Sequence, residues 1–312
     1  MRAVGVTEFG GPEALRIVEL PGPVAGPGQV RIRVHAAAVN PTDTGVRSGA
    51  RPDLYKDVPP PYVPGMDAAG VLEQIGEGTS TDLRIGDHVM AIVVPAGSHG
   101  AYSERIAVPA ESVARVPAGA SDVAAATLPM NGLTVRLALD VLGLRPGQTL
   151  AVTGAAGAVG GYAVQLAKAE GLFVIADASP ADEQLVTDLG ADVVVRRGED
   201  FSEQVREASP DGADGVIDAA LLNDAVVAAV RDRGRIATLH GFRGEEERGI
   251  AFYPVLVRSY AHEQSKLDRL RQQAEDGILT LRVARTFPAE QAAEAHRILE
   301  AGGTRGRLVL EF

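Results

Sequence analysis

The chain has 312 residues, 46 % of them hydrophobic and 23 % charged, which predicts a folded protein of two domains. Its formal net charge of −11 and its lack of any run of Lys or Arg argue against nucleic acid or a membrane as partner. Cysteine is absent, which excludes disulfide bonds, thiolate metal ligands and a cysteine nucleophile together.

The N-terminal part of the chain, roughly 120 residues, predicts a β-rich domain with frequent turns. Residues 1–9 alternate like a strand and lack the apolar core of a signal peptide. Residues 30–36 alternate cleanly between apolar and polar side chains, and further strands are predicted at 71–75 and 87–94. No apolar run approaches the ~18 residues of a membrane span, so we expect a cytoplasmic protein.

From about residue 125, strands alternate with helices, which is typical of a doubly wound parallel sheet in an α/β fold. The predicted helices are 124–142, 158–170, 182–189, 201–208 and 223–231. The predicted strands are 149–153, 173–176, 193–195, 215–218, 235–239 and, as a sixth strand, 250–258. The tail, with strands at 281–286 and 307–311 around a helix at 289–300, is expected to return to the first domain. We therefore predict a β-rich domain from 1–122 and 270–312, and a dinucleotide-binding domain from 123–269.

The most informative segment is the turn of small residues after the strand that ends at Thr153. Small residues let backbone N–H groups approach a pyrophosphate, and the start of the following helix offers unpaired donors. In the G-x-G-x-x-G spacing, Ala155 replaces the first glycine while Gly157 and Gly160 are kept. The alternative is a tight turn with no ligand. The predicted cofactor cradle consists of Gly154, Ala155, Ala156, Gly157, Ala158, Val159 and Gly160.

The residues that would choose between NAD and NADP give a divided prediction. Asp177 closes the next apolar run and would accept hydrogen bonds from ribose hydroxyls while repelling a 2′-phosphate, which favours NAD. Ser179, Arg196 and Arg197 would instead neutralise that phosphate. The alternative for the two arginines is a solvated loop.

Short motifs along the whole chain resemble the zinc-independent quinone oxidoreductase (zeta-crystallin-like) branch of the medium-chain dehydrogenase/reductase superfamily. These motifs occupy residues 8–12, 39–43, 47–49, 64–70, 86–89, 100–104, 128–134 and 306–310. The resemblance implies a GroES-like catalytic domain beside a Rossmann domain. It also implies NADPH, with NADH possible, and a homodimer that pairs through residues 250–258.

Zinc-dependent members of that superfamily bind a catalytic zinc through two cysteines and a histidine. By motif, those positions are Asn40, Met66 and Met130 here. One amide and two thioethers do not supply the thiolate, imidazole or carboxylate ligands that zinc prefers. The segment that would hold four cysteines around a structural zinc is also missing. We therefore expect no zinc, and the resemblance implies no flavin.

The resemblance further implies which residues form the active site. It places the substrate near Asn40, Asp43, Met130 and Asn131. It implies cofactor contacts from Thr134, His240, Gly241, Phe242 and Arg307. Tyrosines that many relatives have near residues 45 and 50 are absent here, so Tyr55 or Tyr62 would supply a hydroxyl to the reduced oxygen, unless water supplies the proton.

Several of these residues have a purely structural alternative. Asn40 and Asp43 would cap the start of a helix, Thr134 would hold a domain-linking helix, and His240 would be an ordinary loop residue. The function expected overall is zinc-free reduction of quinones or related electron-poor carbonyl compounds by NAD(P)H. The alternatives are an enoyl or alkenal double-bond reductase, and a cofactor-binding protein with little turnover.

Overall fold

The computed structural model describes residues 1–50, 55, 57–239, 241–245 and 247–312. Its strands are β1 (Arg2–Gly5), β2 (Arg16–Glu19), β3 (Gln29–Val39), β4 (Asp67–Ile75), β5 (His88–Ile92), β6 (Arg105–Pro109), β7 (Val113–Arg115), β8 (Thr149–Thr153), β9 (Phe173–Ala178), β10 (Val193–Arg196), β11 (Ala213–Asp218), β12 (Val230–Thr238), β13 (Ala251–Pro254), β14 (Val283–Pro288) and β15 (Arg307–Glu311). Its α-helices are α1 (Pro41–Ser48), α2 (Asp122–Ala125), α3 (Pro129–Leu142), α4 (Ala158–Ala169), α5 (Glu183–Asp188), α6 (Phe201–Ala208), α7 (Gln264–Glu275) and α8 (Ala292–Ala301). Within the described residues, none of the helices combines the length and apolar character needed to cross a lipid bilayer.

The chain divides into two compact units. The first unit comprises residues 1–130, 260–275 and 281–312, and the second comprises 131–259 and 276–280. Residues 123–130 and 260–269, which the sequence analysis assigned to the cofactor domain, lie in the first unit.

The second unit is built on a six-stranded, wholly parallel sheet with the strand order β10-β9-β8-β11-β12-β13. Strands β8, β9 and β11 are apolar and buried along most of their length, as expected for a parallel sheet covered on both faces. Helix α4 connects β8 to β9, α5 connects β9 to β10, and α6 connects β10 to β11. The predicted doubly wound Rossmann arrangement is therefore confirmed. The strand order reverses between β8 and β11, and ligands bind such sheets at the carboxyl ends of the strands around this point.

The first unit contains a seven-stranded mixed sheet in which β3 is the longest strand and pairs antiparallel with β4, β6 and β15. Val30, Ile32 and Val34 alternate along β3 and are buried in the core of this unit. Strand β15 comes from the C-terminal tail, and β14 pairs parallel with it. The tail therefore completes a sheet that begins near the N-terminus.

The helix predicted at 124–142 is wrong as a single element. The structure has a short helix, α2, and a separate helix, α3, that begins at Pro129. Proline has no N–H to donate and clashes with the preceding turn, so a helix starts at it more readily than it passes through it. The helix predicted at 223–231 is a 3₁₀ helix over Asn223–Ala229, and β12 begins directly after it.

The predicted sixth strand is also shorter than expected. Only Ala251–Pro254 pairs with β12, and Val257–Tyr260 forms a 3₁₀ turn. β13 is one of the two edge strands of the sheet, and the homodimer expected through this edge stays a prediction. Helix α7 was not predicted, because its sequence is mostly polar and only Leu267 and Leu270 supply its buried apolar face.

Candidate functional site

The glycine-rich turn lies between β8 and α4, at the carboxyl edge of the parallel sheet. Gly157 is the N-cap residue of α4, and its N–H donates to Gly154 O over 2.9 Å. The N–H groups of Ala158, Val159 and Gly160 belong to the first helical turn, where an α-helix provides no acceptor. Together with the helix dipole, these donors form a positively polarised cradle of the kind that binds a pyrophosphate.

Two glycines are required by the backbone geometry of this turn. Gly154 has φ +66°, in the left-handed region that favours glycine. A Cβ on Gly160 would lie 2.6 Å from the carbonyl carbon of Gly154 and 2.8 Å from Cα of Ala155. Ala155 and Ala156 are buried. The structure thus brings the whole predicted cradle together as one compact turn, which fits a dinucleotide.

A buried pair at the ends of β8 and β11 supports the next turn along the sheet edge. Thr153 Oγ1 donates to Asp218 Oδ1 over 2.7 Å and accepts from Ala220 N over 2.9 Å. The Asp218 carboxylate also accepts from the N–H groups of Leu222 and Asn223. Asp218 therefore holds the segment after β11 beside the cradle. Sequence reasoning did not assign a role to Asp218, although its place at the end of a buried strand was a usable signal.

Asp177 is 1 % exposed and both of its carboxylate oxygens have protein donors. Oδ1 accepts from Ala155 N over 3.1 Å, and Oδ2 accepts from Arg197 Nε over 3.1 Å. This carboxylate therefore links the cradle to an arginine that was predicted to compete with it for the choice of cofactor. The prediction that Asp177 accepts from ribose hydroxyls and repels a 2′-phosphate did not include this pairing with Arg197.

Ser179 and Arg196, the two other residues predicted to contact a 2′-phosphate, differ in the hydrogen bonds that their side chains already form. Ser179 Oγ donates to Asp182 Oδ2 over 2.5 Å, so its proton is already in use. Arg196 is exposed at the end of β10, where its backbone forms two hydrogen bonds with the side chain of Gln204. Arg196 pairs with Ala178 in the strand register, so its backbone lies beside the end of β9.

In the first unit, Asn40 and Asp43 occupy the start of α1. Asn40 is the N-cap residue, and its N–H donates to Asp43 Oδ2 over 2.8 Å. Asp43 therefore caps the helix start by accepting from the Asn40 backbone, while the Asn40 amide donates to Asp67. Asp43 Oδ1 also accepts from the N–H of Gly65, whose φ of +106° turns the backbone towards the carboxylate. Both side chains are fully buried, and their catalytic role stays a prediction.

Asp67 forms the second buried carboxylate of this region. Its Oδ2 accepts from Asn40 Nδ2 over 2.7 Å, and its Oδ1 accepts from Met130 N over 2.6 Å. Within the described part of the chain, Asn40 Oδ1 is buried and has no hydrogen-bond partner. Sequence reasoning missed Asp67, although it stands in the motif at 64–70.

A hydrogen-bond chain connects Asp43 with a partly exposed carboxylate. Arg47 Nη1 lies 3.3 Å from His296 Nδ1, and because a guanidinium only donates, Nδ1 must accept. The ring proton is therefore on His296 Nε2, which lies 3.1 Å from Tyr102 Oη, and Oη donates to Asp43 Oδ2 over 3.1 Å. Arg47 Nη2 donates to Glu300 Oε1 over 2.6 Å, and the Glu300 side chain is 40 % exposed. The motif at 100–104 contained Tyr102, but no sequence signal pointed to His296.

Burial dominates the ionisation of these groups. Burial raises the pKa of Asp43 to about 6, against the lowering effect of hydrogen bonds from Asn40, Tyr102 and Gly65. Burial likewise raises the pKa of Asp67 to about 7. The pKa of His296 falls to about 4 because of burial and the nearby charge of Arg47, which keeps the ring neutral at pH 7.

The three positions that hold catalytic zinc in the zinc-dependent members of the superfamily that the motifs resemble do not form a zinc site here. Met66 and Met130 are buried thioethers, and the amide of Asn40 already donates to Asp67. Zinc prefers imidazole, thiolate and carboxylate ligands. These three residues do not fit a zinc ion.

The remaining predicted residues lie in several different places. Tyr62 Oη donates to Val58 O over 2.8 Å, and the Tyr62 ring packs against Phe9 and Tyr55 at centroid distances of 4.8 and 4.9 Å. Gly241 follows β12 with φ +83°, and Phe242 O accepts from Thr238 Oγ1 over 2.6 Å. His240 lies outside the described residues.

The other three predicted residues are buried. Asn131 and Thr134 lie on α3, with exposures of 0 % and 7 %. Arg307 lies on β15, where its charge lowers the pKa values of Asp43 and Asp67. The roles assigned to these three residues from the resemblance stay predictions.

The Rossmann sheet with its glycine-rich cradle and the separate mixed sheet define a nicotinamide-dependent oxidoreductase of the medium-chain dehydrogenase/reductase fold. Residues 26–118 match the family described as "Alcohol dehydrogenase GroES-like domain", and residues 189–310 match "Zinc-binding dehydrogenase". The quinone oxidoreductase of Rattus norvegicus is 31 % identical over 333 residues, which cover 99 % of this chain and 97 % of that protein. The chain belongs to the quinone oxidoreductase branch of this superfamily, as its motifs indicated.

Two other relatives extend the comparison. A 2-haloacrylate reductase from Burkholderia is 31 % identical over 331 residues, covering 99 % of this chain and 98 % of that protein. The synaptic vesicle membrane protein VAT-1 homolog of Rattus norvegicus is 34 % identical over 224 residues, covering 70 % of this chain. The chain spans about half the length of that protein, since the match covers 53 % of it.

Solved structures agree over the whole chain. The quinone oxidoreductase from Coxiella burnetii has a TM-score of 0.88 and 27 % identity, covering 100 % of this chain and 99 % of that one. A mycobacterial protein complexed with NADPH has a TM-score of 0.87 and 30 % identity, covering 100 % of both chains.

Proposed function

We propose that this protein is an NADPH-dependent oxidoreductase that reduces quinones or related electron-poor carbonyl compounds without zinc. The observation that supports this most directly is the glycine-rich cradle joined to Arg197 through Asp177. Full-length similarity to quinone oxidoreductases supports the proposed substrate class. The cytoplasmic location and the homodimer expected from the sequence remain predictions.

The cradle residues would hold the cofactor through their backbone. Donors at the start of α4 face an incoming pyrophosphate, and Gly160 allows the helix to approach Gly154 closely enough to form the turn. When bound, the reduced nicotinamide supplies a hydride. Asn40 at the start of α1 and Asp67 at the start of β4 form a buried hydrogen-bonded pair, which would orient neighbouring polar groups without using a metal ion.

The paired charges of Asp177 and Arg197 at the end of β9 favour NADPH over NADH. The Asp177 carboxylate alone would repel a 2′-phosphate, but Arg197 Nε donates to it and offsets its charge. The Arg197 side chain is 43 % exposed, so the guanidinium retains N–H groups accessible to a phosphate.

The test is consumption of NADPH and of NADH by chelator-treated protein, each with para-benzoquinone. Loss of nicotinamide absorbance with quinone, above a no-enzyme control, supports the proposal, and the faster cofactor identifies the preferred one. Retained activity in chelator shows that no exchangeable metal ion is required.

A second function is favoured by the Burkholderia 2-haloacrylate reductase, which matches nearly the whole chain. Its name describes reduction of a conjugated double bond, so this protein is also tested with an alkenal. Turnover of the alkenal alone would establish the double-bond reductase function instead. Tight NADPH binding with no turnover of either substrate would establish a cofactor-binding protein.

A substitution of Arg197 tests the proposed preference for NADPH over NADH. Arg197→Glu is expected to weaken NADPH binding at least tenfold while NADH binding changes little, because only NADPH has the 2′-phosphate. Arg145→Glu makes the same charge change at an exposed residue before β8 and is the matched control. Equal loss of both cofactors in Arg197→Glu would contradict the role of Arg197.

A further inference from the structure

Two imidazoles and a carboxylate converge at one place in the first unit. His35 lies on β3, His88 lies on β5, and Asp122 is the first residue of α2. His35 Nδ1 lies 2.7 Å from Asp122 Oδ2, and His88 Nδ1 lies 2.9 Å from Asp122 Oδ1. One ligand atom from each of the three side chains lies within 4.8 Å of the other two. Neither the cradle nor the buried network at α1 uses these side chains.

The fold itself brings these three residues together. β4 pairs with both β3 and β5, so the two histidines belong to strands that flank a common neighbour. Asp122 is held at the start of α2, where Ser121 caps the helix by accepting from Ala124 N over 3.2 Å. The Asp122 side chain is 11 % exposed, against 33 % for His35 and 60 % for His88. The carboxylate is thus fixed at the base of the cluster, while solvent reaches the two rings.

The chemistry of this group matches a transition-metal ligand set. Imidazole nitrogen and carboxylate oxygen are the ligands that Zn²⁺ and Co²⁺ accept, at about 2.0–2.2 Å from the ion. In a tetrahedral site with such bonds, neighbouring ligand atoms lie about 3.3 Å apart. Asp122 Oδ2 lies 2.7 Å from His35 Nδ1 and 3.1 Å from His88 Nδ1, so these two contacts would need to open by about 0.6 and 0.2 Å. The net charge of −11 also favours a cation over an anion.

We propose that His35, His88 and Asp122 form a binding site for one divalent transition-metal ion such as Zn²⁺. This site is separate from the superfamily's catalytic zinc position. On binding, each neutral imidazole shifts its proton from Nδ1, where it otherwise donates to the carboxylate, to Nε2, so that the Nδ1 lone pair binds the ion. Water completes the coordination, since His88 is largely exposed. The bound ion fastens α2 to β3 and β5, and it takes no part in the reduction proposed above. The general expectation that this chain binds no zinc would then hold only for the catalytic and structural zinc positions of the family.

The experiment uses the full chain after treatment with chelator and its removal. Zn²⁺ is titrated by calorimetry, and Co²⁺ is titrated by its visible absorption, which reports coordination number and ligand type. One equivalent of Zn²⁺ is expected to bind with a micromolar or lower dissociation constant. His88→Gln and Asp122→Asn should each weaken that binding at least tenfold. His262→Gln, which removes an imidazole of similar exposure elsewhere in the same unit, should leave it unchanged.

Thermal unfolding provides a second readout that does not depend on activity. Saturating Zn²⁺ should raise the Tm of the wild-type chain and of His262→Gln, but not of His88→Gln, because an ion bound only to the folded state stabilises it. His88 is exposed, so its replacement is compatible with folding, and the Tm without metal verifies this. Binding weaker than millimolar, or equal binding by wild type and His88→Gln, would overturn the proposal.

Discussion

The buried carboxyl of Asp67 gives a quantitative prediction about how stability changes with pH. Asp67 is fully buried between Asn40 Nδ2 and Met130 N, and burial raises its pKa from 3.8 to about 7. The charge of Asp43 adds to this rise, and that of Arg307 opposes it. Asp67→Asn keeps an oxygen to accept from Met130 N. The new amide N–H group of the variant faces the Asn40 side chain. If the Asn40 amide rotates by half a turn, its Oδ1, which has no partner in the wild type, accepts a hydrogen bond from that group.

The magnitude follows from proton linkage. A carboxyl with a folded-state pKa above its unfolded value stabilises the fold when protonated, and that stability is lost as pH rises towards the folded-state pKa. Between pH 5 and about 7, the free energy of unfolding therefore falls by ~1.4 kcal/mol per pH unit, or about 2 to 3 kcal/mol in total. The asparagine has no charge to bury, so this loss disappears in the variant.

The assay is the difference in Tm between Asp67→Asn and wild type, measured at pH 5.0 and at pH 8.5. The variant should gain about 4 to 12 °C relative to wild type on going from pH 5.0 to 8.5. Asp211→Asn makes the same change at an exposed loop position and should show no such gain. The reasoning is refuted if the Tm difference is the same at both pH values, or if the control changes equally.

Two further predictions concern the cradle and the buried network. Gly160→Ala should weaken NADPH binding at least tenfold in a fluorescence titration, because its Cβ would lie 2.6 Å from the carbonyl carbon of Gly154. The control is Gly22→Ala, which has open space around the added Cβ and should bind NADPH as the wild type does. Unchanged affinity in Gly160→Ala would show that the turn relaxes freely. Tyr102→Phe removes the hydroxyl between Asp43 and His296 and should cost about 1–3 kcal/mol of unfolding free energy in urea denaturation. Tyr253→Phe, on β13, is its control, and an equal small effect in both would contradict the importance of the network.

The sequence was most informative where local patterns decide structure. The strand, small-residue turn and helix around Gly157 and Gly160 predicted the cradle, because the close backbone approach tolerates only small residues. The alternation of strands and helices predicted the parallel sheet. The break before Pro129 was missed although the proline itself is a local signal for a helix start. The shortened sixth strand was missed because strand ends depend on pairing with neighbours that the local sequence does not show.

The buried network around α1 shows what the sequence did not show. Tyr102 and His296 are 194 positions apart along the chain, so no local pattern relates them, and the resemblance named neither as functional. The sequence also did not show that the side chains of Arg197 and Asp177 pair. Their effects on cofactor choice were therefore predicted as separate and opposed.

The sequence by itself determined the absence of thiol chemistry, the Rossmann sheet and the family, because composition and short motifs record these directly, and it predicted the cofactor cradle. Only the tertiary structure decided which polar side chains meet. Burial and pairing then set their properties, as the raised pKa of Asp67 and the convergence of His35 and His88 on Asp122 show. Those properties depend on distances across sheets and between distant segments, which the order of residues along the chain does not specify.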